Sequence, residues 1–112
     1  MGAIEVLGFG TAFMLINRAV FETMIAARPE WKRPGAKDWP DDIRANYYEF
    51  FRHNHEGAST EAGEDYVFCD RWRQLGGSIW IDPDIALGHV GSWNYRGCIQ
   101  EMLAPAEKEI PT

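Results

Sequence analysis

Two adjacent carboxylates, Glu64 and Asp65, open the segment of the sequence that is most clearly helical. The first turn of a helix has unpaired N–H groups and the positive end of the helix dipole, and both stabilise negative charge. Asp65 is therefore well suited to act as a general base. The same electrostatics make acidic residues common in first turns for structural reasons alone, so the pair by itself leaves both interpretations open.

A second chemistry-bearing group is His89, which lies between glycines in Gly88-His89-Val90-Gly91. An imidazole at the end of a strand with little around it is suited to bind a metal ion or a phosphate. A lone histidine is often a hydrogen-bonded structural residue instead, so His89 also has two interpretations.

Two weaker patterns precede these groups. His53, His55 and Glu56 supply two imidazoles and a carboxylate, as in a zinc site, but no further ligand at suitable spacing is evident and a solvated loop is favoured. The Gly8-Phe9-Gly10 segment contains two glycines, as phosphate-binding loops do, yet it lacks the helix that such loops open. A bulge is the alternative interpretation of these glycines.

Aromatic side chains could stack on sugar rings, although they are equally suited to a core or an interface. The candidates are Trp31, Trp39, Tyr47, Tyr48 and Trp93.

The sequence contains no evident Ser-His-Asp or Cys-His arrangement for nucleophilic catalysis. The two cysteines, Cys69 and Cys98, do not form a CxxC pair. They are predicted to be buried thiols in a reducing compartment, the cytoplasm.

The composition restricts the class of protein. A chain of 112 residues with 46% apolar and 13% aromatic residues predicts one folded domain. Its 17 acidic and 11 basic residues give a net charge of −6, which argues against a nucleic-acid or anionic-membrane partner. The longest apolar run, Ala12 to Ile16, is too short to span a bilayer. Small substrates, metals and proteins remain possible partners.

The elements that would position these residues follow the order strand, helix, loops, helix, strand, strand. Phe13 to Ile16 is predicted as a fully buried strand, and Asn17 as the N-cap of a helix from Arg18 to Ala27. A long loop covers Pro29 to Asp42, and Ile43 to Asn54 suits a short strand or an aromatic-lined segment.

The second half of the chain begins with a loop at His55 to Gly63. A helix from Glu64 to Leu75 comes next, stopped by Gly76-Gly77. Ser78 to Ile81 and Ile85 to Val90 are predicted strands, separated by a turn at Asp82-Pro83-Asp84. This order indicates an α/β or α+β layer structure.

Taken in order, four segments form a more specific pattern. They are Gly10-Thr11-Ala12 with the residues up to Arg18, Gly63 to Cys69, Gly76 to Pro83, and Gly88 to Gly91 with Tyr95-Arg96-Gly97. This order resembles the C-terminal half of a GT-A fold, family-2-like glycosyltransferase, over about Ile4 to Gly97. The resemblance implies a mixed α/β sheet with flanking helices, a partial GT-A fold without its N-terminal nucleotide-binding half, over residues 1–103. Residues 104–112 are expected to form a flexible tail.

The resemblance also implies roles for individual residues. Gly10, Thr11 and Ala12 would match the glycine-containing loop that lines the donor and acceptor pocket. Asp65 would be the catalytic base that takes the proton of the acceptor hydroxyl, and Glu64 would bind the acceptor. His89 would help to hold a divalent cation, Mn²⁺ or Mg²⁺, on the donor diphosphate.

The sequence departs from the family at the metal motif. The family's nucleotide-binding strands and their DxD motif lie upstream of the glycine loop, where this sequence has nine residues before Gly10. Asp82-Pro83-Asp84 spells DxD but comes after the carboxylate pair, and we interpret it as a turn. Because a catalytic metal needs several ligands, the remaining ones are expected to be missing from this chain.

The predicted function is therefore that of a glycosyltransferase fragment, inactive alone. It would transfer a sugar from a nucleotide-sugar donor to a glycan or other hydroxyl acceptor, with inversion and metal dependence. Self-association or a complementing N-terminal half is the expected macromolecular partner. The alternative is a noncatalytic module that keeps part of the fold and binds a glycan or a protein through its aromatic loops.

Overall fold

The computed structural model of the chain describes residues 2–53 and 63–103. Within these residues, four short strands lie at Ile4–Val6 (β1), Ile79–Ile81 (β2), Leu87–Val90 (β3) and Asn94–Gly97 (β4). The same part of the chain contains four α-helices, at Arg18–Ala27 (α1), Asp41–Ala45 (α2), Glu64–Gln74 (α3) and Ile99–Leu103 (α4). Short 3-10 helices occupy Thr11–Phe13 and Pro29–Trp31. The predicted mixture of helices and strands is confirmed at the level of an α/β protein.

The strands form two two-stranded sheets, β1 with β2 and β3 with β4. In the antiparallel β3–β4 pair, Leu87 faces Gly97 and His89 faces Tyr95. The chain divides into a larger unit, Val6–Ile79, and a smaller unit that combines Met1–Glu5 with Trp80–Thr112.

Helix α1 agrees closely with its sequence signals. The side chain of Asn17 accepts a hydrogen bond from the backbone N–H of Ala19 at 2.9 Å, so it caps the helix as predicted. The apolar stripe of α1 faces inward, with Met24 fully buried. The helix ends where Arg28 leaves helical geometry before Pro29, as the sequence predicts.

The core of the larger unit joins α1 to α3. Met24, Val67, Phe68 and Cys69 are its buried apolar residues. An aromatic cluster surrounds Phe68, whose ring stacks on Phe51 at 4.6 Å between centroids and lies 5.8 Å from that of Phe21. These contacts hold α3, which carries the candidate carboxylates, against the rest of the larger unit.

The prediction of a fully buried strand at Phe13 to Ile16 is wrong. Phe13 ends a 3-10 helix, and the segment after it is extended but lies outside the strands of the described residues. Phe13 is 65% exposed and Leu15 is 99% exposed, whereas Met14 and Ile16 are half-buried. Alternate side chains of an extended segment point to opposite sides, so one side packs and the other remains in solvent.

The segment from Pro29 to Ala45 contains more regular secondary structure than expected. The prediction of a structureless loop at Pro29 to Asp42 is wrong at both ends, because a 3-10 helix opens it and α2 begins at Asp41. Ile43 lies in α2 rather than in a strand. Two acidic residues after Pro40 explain this helix start, since they favour the positive end of a helix dipole.

Strand β4 and helix α4 were not among the predicted elements, and the tail at 104–112 lies outside the described residues. None of the helices within residues 2–53 and 63–103 has both the length and the apolar character needed to cross a membrane.

Gly77 is expected to be intolerant of any side chain. A Cβ at this position would lie 1.9 Å from the Trp72 ring, whose Nε1 donates to the Ser78 carbonyl at 3.1 Å. Gly77→Ala therefore has to displace the indole and break that hydrogen bond, at a cost of about 1–3 kcal/mol in unfolding free energy. Chemical denaturation monitored by circular dichroism measures this loss.

The matched control is Gly91→Ala, since a Cβ on Gly91 would meet no atom closer than 3.9 Å. Equal unfolding midpoints for the two variants would contradict the packing argument for Gly77.

Candidate functional site

Asp65 lies in the first turn of α3, where the sequence predicts it. The helix begins at Glu64 after Gly63, which provides no side-chain cap. The Asp65 side chain is half-buried, and its Oδ1 accepts a hydrogen bond from the Tyr66 backbone N–H at 2.8 Å. This bond and the packing of the next turn hold the carboxylate in one orientation.

Two glycines border the two oxygens of this carboxylate. A Cβ on Gly10 would lie 3.3 Å from Asp65 Oδ2, and one on Gly63 would lie 3.1 Å from Asp65 Oδ1. Both glycines have ordinary extended backbones, with φ of −70° at Gly10 and −65° at Gly63, so conformation does not require glycine at either position. The missing side chains instead leave space around the Asp65 oxygens.

The structure thus brings together two of the predicted site segments, the glycine loop and the start of α3. Thr11 and Ala12 continue from Gly10 as the exposed first two residues of a 3-10 helix. Their assigned role in lining a donor and acceptor pocket stays a prediction, as do the roles of Gly10 and Asp65.

Glu64 lies close to His53, which the sequence analysis considered as part of a zinc cluster instead. Its Oε2 lies 3.2 Å from His53 Nε2, and both side chains are largely exposed. The predicted zinc cluster included His53 with His55 and Glu56, but His55 and Glu56 lie outside the described residues. In the described part of the chain, His53 therefore contacts Glu64.

Cys69 connects the Gly8-Phe9-Gly10 segment to the buried face of α3. Its Sγ donates a weak hydrogen bond to the Phe9 carbonyl at 3.8 Å, and a Cβ on Gly8 would lie 3.1 Å from Cys69 Cβ. Burial raises the pKa of the Cys69 thiol, and the negative charge of Asp65 raises it further. The predicted burial is confirmed for Cys69, whereas Cys98 is only half-buried.

We expect Cys69 to react slowly with a thiol reagent in the folded state. A raised pKa leaves little thiolate near pH 8, and the side chain is 2% exposed. Ellman's reagent should therefore label Cys98→Ser, which keeps Cys69, far more slowly than Cys69→Ala, which keeps Cys98. Equal labelling rates in the two folded variants would contradict this assignment.

The same raised pKa predicts a pH dependence of stability. The folded state favours the neutral thiol. The contribution of Cys69 to the free energy of unfolding is therefore fully present below its ordinary pKa of 9.0, and it is lost as the pH rises from there through the raised pKa of the folded state.

His89 lies in β3 of the smaller unit and is exposed. Its ring contacts that of the facing Tyr95 edge-on, at 6.4 Å between centroids. The hairpin explains this position, because residues directly opposite in an antiparallel pair project to the same face.

The described residues do not by themselves fit a divalent metal site. Within residues 2–53 and 63–103, no three His, Cys, Asp or Glu side chains are grouped closely enough to hold an ion. His89 would supply a single nitrogen, and Mn²⁺ or Mg²⁺ prefers several oxygen ligands. No chemical step is therefore assigned to a metal bound by these residues.

The Asp82-Pro83-Asp84 segment is a turn, as interpreted from the sequence. Asp82 Oδ1 accepts from the Asp84 backbone N–H at 3.0 Å, which is a typical Asx turn. Pro83 is buried, and its carbonyl accepts from Gln100 N at 3.0 Å. This segment therefore supports the start of α4.

Arg71 is the residue that sequence reasoning missed. Arginine is seldom buried, but Arg71 is 7% exposed and its guanidinium carbon lies 4.1 Å from the Trp31 ring centroid. Its Nη1 donates to the carbonyls of Glu49 and Phe50, at 2.6 and 3.2 Å. One signal was present in the sequence, because Arg71 lies four residues after the buried Val67 and so shares its face.

Comparison of the chain with protein-family models, with curated proteins and with solved structures finds no match. The described geometry is therefore the basis for a functional proposal.

Proposed function

We propose that this chain supplies the acceptor-binding and catalytic-base part of a glycosyltransferase of the GT-A type. The observation that carries the proposal is the environment of the Asp65 carboxylate. The Tyr66 N–H orients it, and a glycine borders each of its two oxygens. The backbone conformation at these two glycines would also allow other residues. An oriented carboxylate with free space at its oxygens is what general-base catalysis on a hydroxyl needs.

The proposed reaction transfers a sugar from a nucleotide-sugar donor. The acceptor O–H bond breaks, its proton passes to the Asp65 carboxylate, and the acceptor oxygen forms a bond to the anomeric carbon. The bond between that carbon and the diphosphate breaks, and the nucleoside diphosphate leaves with the electron pair. Attack opposite the leaving group inverts the anomeric configuration.

Glu64 and the glycine loop complete the acceptor side of the proposal. Glu64 lies next to Asp65 in the first turn of α3 and would accept hydrogen bonds from acceptor hydroxyls beside its contact with His53. Gly10, Thr11 and Ala12 would line the same space. The remaining ligands of a divalent cation, and the nucleotide-binding surface, would come from polypeptide outside the described residues.

Two further parts of the proposal concern partners and location. The exposed Phe13 and Leu15 would fit association with a second polypeptide, either a complementing nucleotide-binding half or another copy of the chain. The free cysteines would fit a reducing, cytoplasmic location.

The experiment supplies the chain with the nucleotide-binding half of a GT-A transferase, fused or added separately, together with a nucleotide sugar and Mn²⁺ or Mg²⁺. We expect release of nucleoside diphosphate, or transfer to a hydroxyl acceptor, that neither half shows alone and that a chelator abolishes. Robust transfer by the chain alone would contradict the assignment of nucleotide binding to other polypeptide. Glycan binding without any turnover would favour the noncatalytic alternative.

A further inference from the structure

The larger unit contains an open cleft of about 500 Å³. This volume is within the range of about 300–1,000 Å³ that small-molecule sites occupy. Six of its lining residues give the cleft its chemical character: Arg33, Gly35, Trp39, Tyr47, Glu49 and Phe51.

Three aromatic side chains form the apolar part of the cleft. Trp39, Tyr47 and Phe51 are 39%, 40% and 39% exposed, so each packs against the protein on one side and meets solvent on the other. The Trp39 and Tyr47 rings meet edge to face at 5.1 Å between centroids. Flat aromatic surfaces held in this way match the C–H faces of a sugar ring.

Gly35 fixes the position of the Trp39 ring. Its φ of +69° is a conformation that glycine adopts without strain. A Cβ at Gly35 would lie 2.9 Å from Trp39 Cε3, so the indole packs directly on the backbone. The glycine at position 35 therefore provides the surface on which this ring packs.

The polar part of the cleft is an ion pair between Arg33 and Glu49. Their side chains are 41% and 30% exposed, and both residues line the cleft. Arg33 Nη1 also donates to the Glu30 and Lys32 carbonyls, at 3.3 and 3.4 Å. The nearby buried Arg71 guanidinium, on which the Glu49 carboxylate also acts, donates to backbone carbonyls. The ion pair itself supplies N–H donors and carboxylate acceptors, and its two formal charges cancel each other. That combination suits the hydroxyl groups of an uncharged ligand better than an anion or a cation.

We propose that this cleft binds a neutral saccharide, with a sugar ring stacked on Trp39 and hydroxyl groups bonded to Arg33 and Glu49. That the saccharide is the acceptor rests on the proposed glycosyltransferase function; the binding itself needs neither a donor nor Asp65.

The test is a titration of the full chain monitored by nuclear magnetic resonance, with maltotriose and triacetylchitotriose as neutral probes. The Trp39 indole N–H signal is assigned from the spectrum of Trp39→Phe. We expect at least one neutral trisaccharide to shift this signal, and Trp39→Ala to weaken binding about tenfold. Trp93→Ala is the matched control, because Trp93 is 71% exposed and belongs to the smaller unit, and it should leave binding unchanged.

A charge variant tests the role of the ion pair. Glu49→Gln keeps the size of the side chain but removes the carboxylate that compensates the Arg33 charge and that acts on the nearby Arg71. It should weaken binding of the neutral probe and strengthen binding of trigalacturonic acid, with unchanged circular dichroism as the check on folding. An opposite shift in preference would overturn the charge argument.

The remaining outcomes separate this inference from the proposed function. Failure of both neutral probes to shift the Trp39 signal at about 10 mM would overturn the proposal, as would a shift produced by a decaproline peptide instead. Saccharide binding that survives Asp65→Asn supports the cleft whether or not transfer is observed. In an active, complemented enzyme, an acceptor KM unchanged by Trp39→Ala would overturn the identification of the saccharide as the acceptor.

Discussion

Asp65→Asn is expected to lower sugar transfer by the complemented enzyme by about 10²–10⁴-fold, the contribution that a positioned general base usually makes. The amide has nearly the same shape as the carboxylate but does not accept the acceptor proton. Its Oδ1 still accepts a hydrogen bond from the Tyr66 N–H, so α3 should begin as before. The loss should therefore appear in kcat more than in the KM for the acceptor.

The matched control is Asp70→Asn, a charge-neutralising change on the same helix. Asp70 accepts from Gln74 at 3.1 Å on the half-exposed side of α3 and should tolerate the change in activity assays. Slow labelling of Cys69 in both variants would verify the fold, because burial is the main cause of its raised pKa. If Asp65→Asn kept full activity under these conditions, Asp65 would not be the base.

Arg71→Met is expected to lower the free energy of unfolding by about 2–4 kcal/mol. The methionine keeps much of the side-chain length but removes the donor to the Glu49 and Phe50 carbonyls and the cation that lies over Trp31. Burial lowers the pKa of Arg71, and the nearby Glu49 carboxylate opposes that shift. The charged form is thus held by specific partners, and its removal leaves those carbonyls without their donor.

Urea denaturation monitored by circular dichroism measures this effect, with Arg73→Met as the control. Arg73 belongs to the same helix, and its Nη1 lies 4.0 Å from Oδ1 of the half-exposed Asp70. Such an exposed ion pair contributes well under about 1 kcal/mol to the free energy of unfolding. Arg71→Lys should lie between the two, since lysine keeps the charge without the planar fork. Equal stability of Arg71→Met and Arg73→Met would show that the buried guanidinium contributes nothing.

The elements that could be predicted from the sequence are those specified by local signals. Helix α1 has an asparagine cap, an apolar stripe and a proline after its end, and all three lie within a dozen residues of one another. Helix α3 similarly has acidic residues in its first turn and Gly76 after its end, where φ is +87°. Such signals act through nearest neighbours, so they need no knowledge of the fold.

The features that could not be predicted depend on contacts between distant segments. The apolar run at Phe13 to Ile16 has the composition of a buried strand, but burial requires a neighbour on both sides. The bridge between Lys32 and Tyr48 joins residues sixteen positions apart, so it has no local signature. The burial of Arg71 likewise depends on Trp31 and on the backbone at residues 49 and 50.

The residue types of the candidate site could be predicted from the sequence, but the distances between them in the structure could not. The helix-start position of Asp65 and the glycines at 10 and 63 are visible in the sequence. Gly63 borders Oδ1 because it is the N-cap residue of α3, two positions before Asp65, whereas the approach of Gly10 to Oδ2 results from the packing of the 8–10 segment on α3.

The Lys32–Tyr48 bridge has a consequence for the thermodynamics of the neighbouring cleft. Arg33 N donates to the Tyr47 carbonyl at 2.8 Å and Glu49 N donates to the Trp31 carbonyl at 2.9 Å, so the backbones carrying the ion pair are tied together on both sides. The conformational entropy of this backbone is lost during folding rather than at ligand encounter. Ligand binding in the cleft would then require little ordering of the chain, and the backbone conformation would be the same in the free and the bound protein.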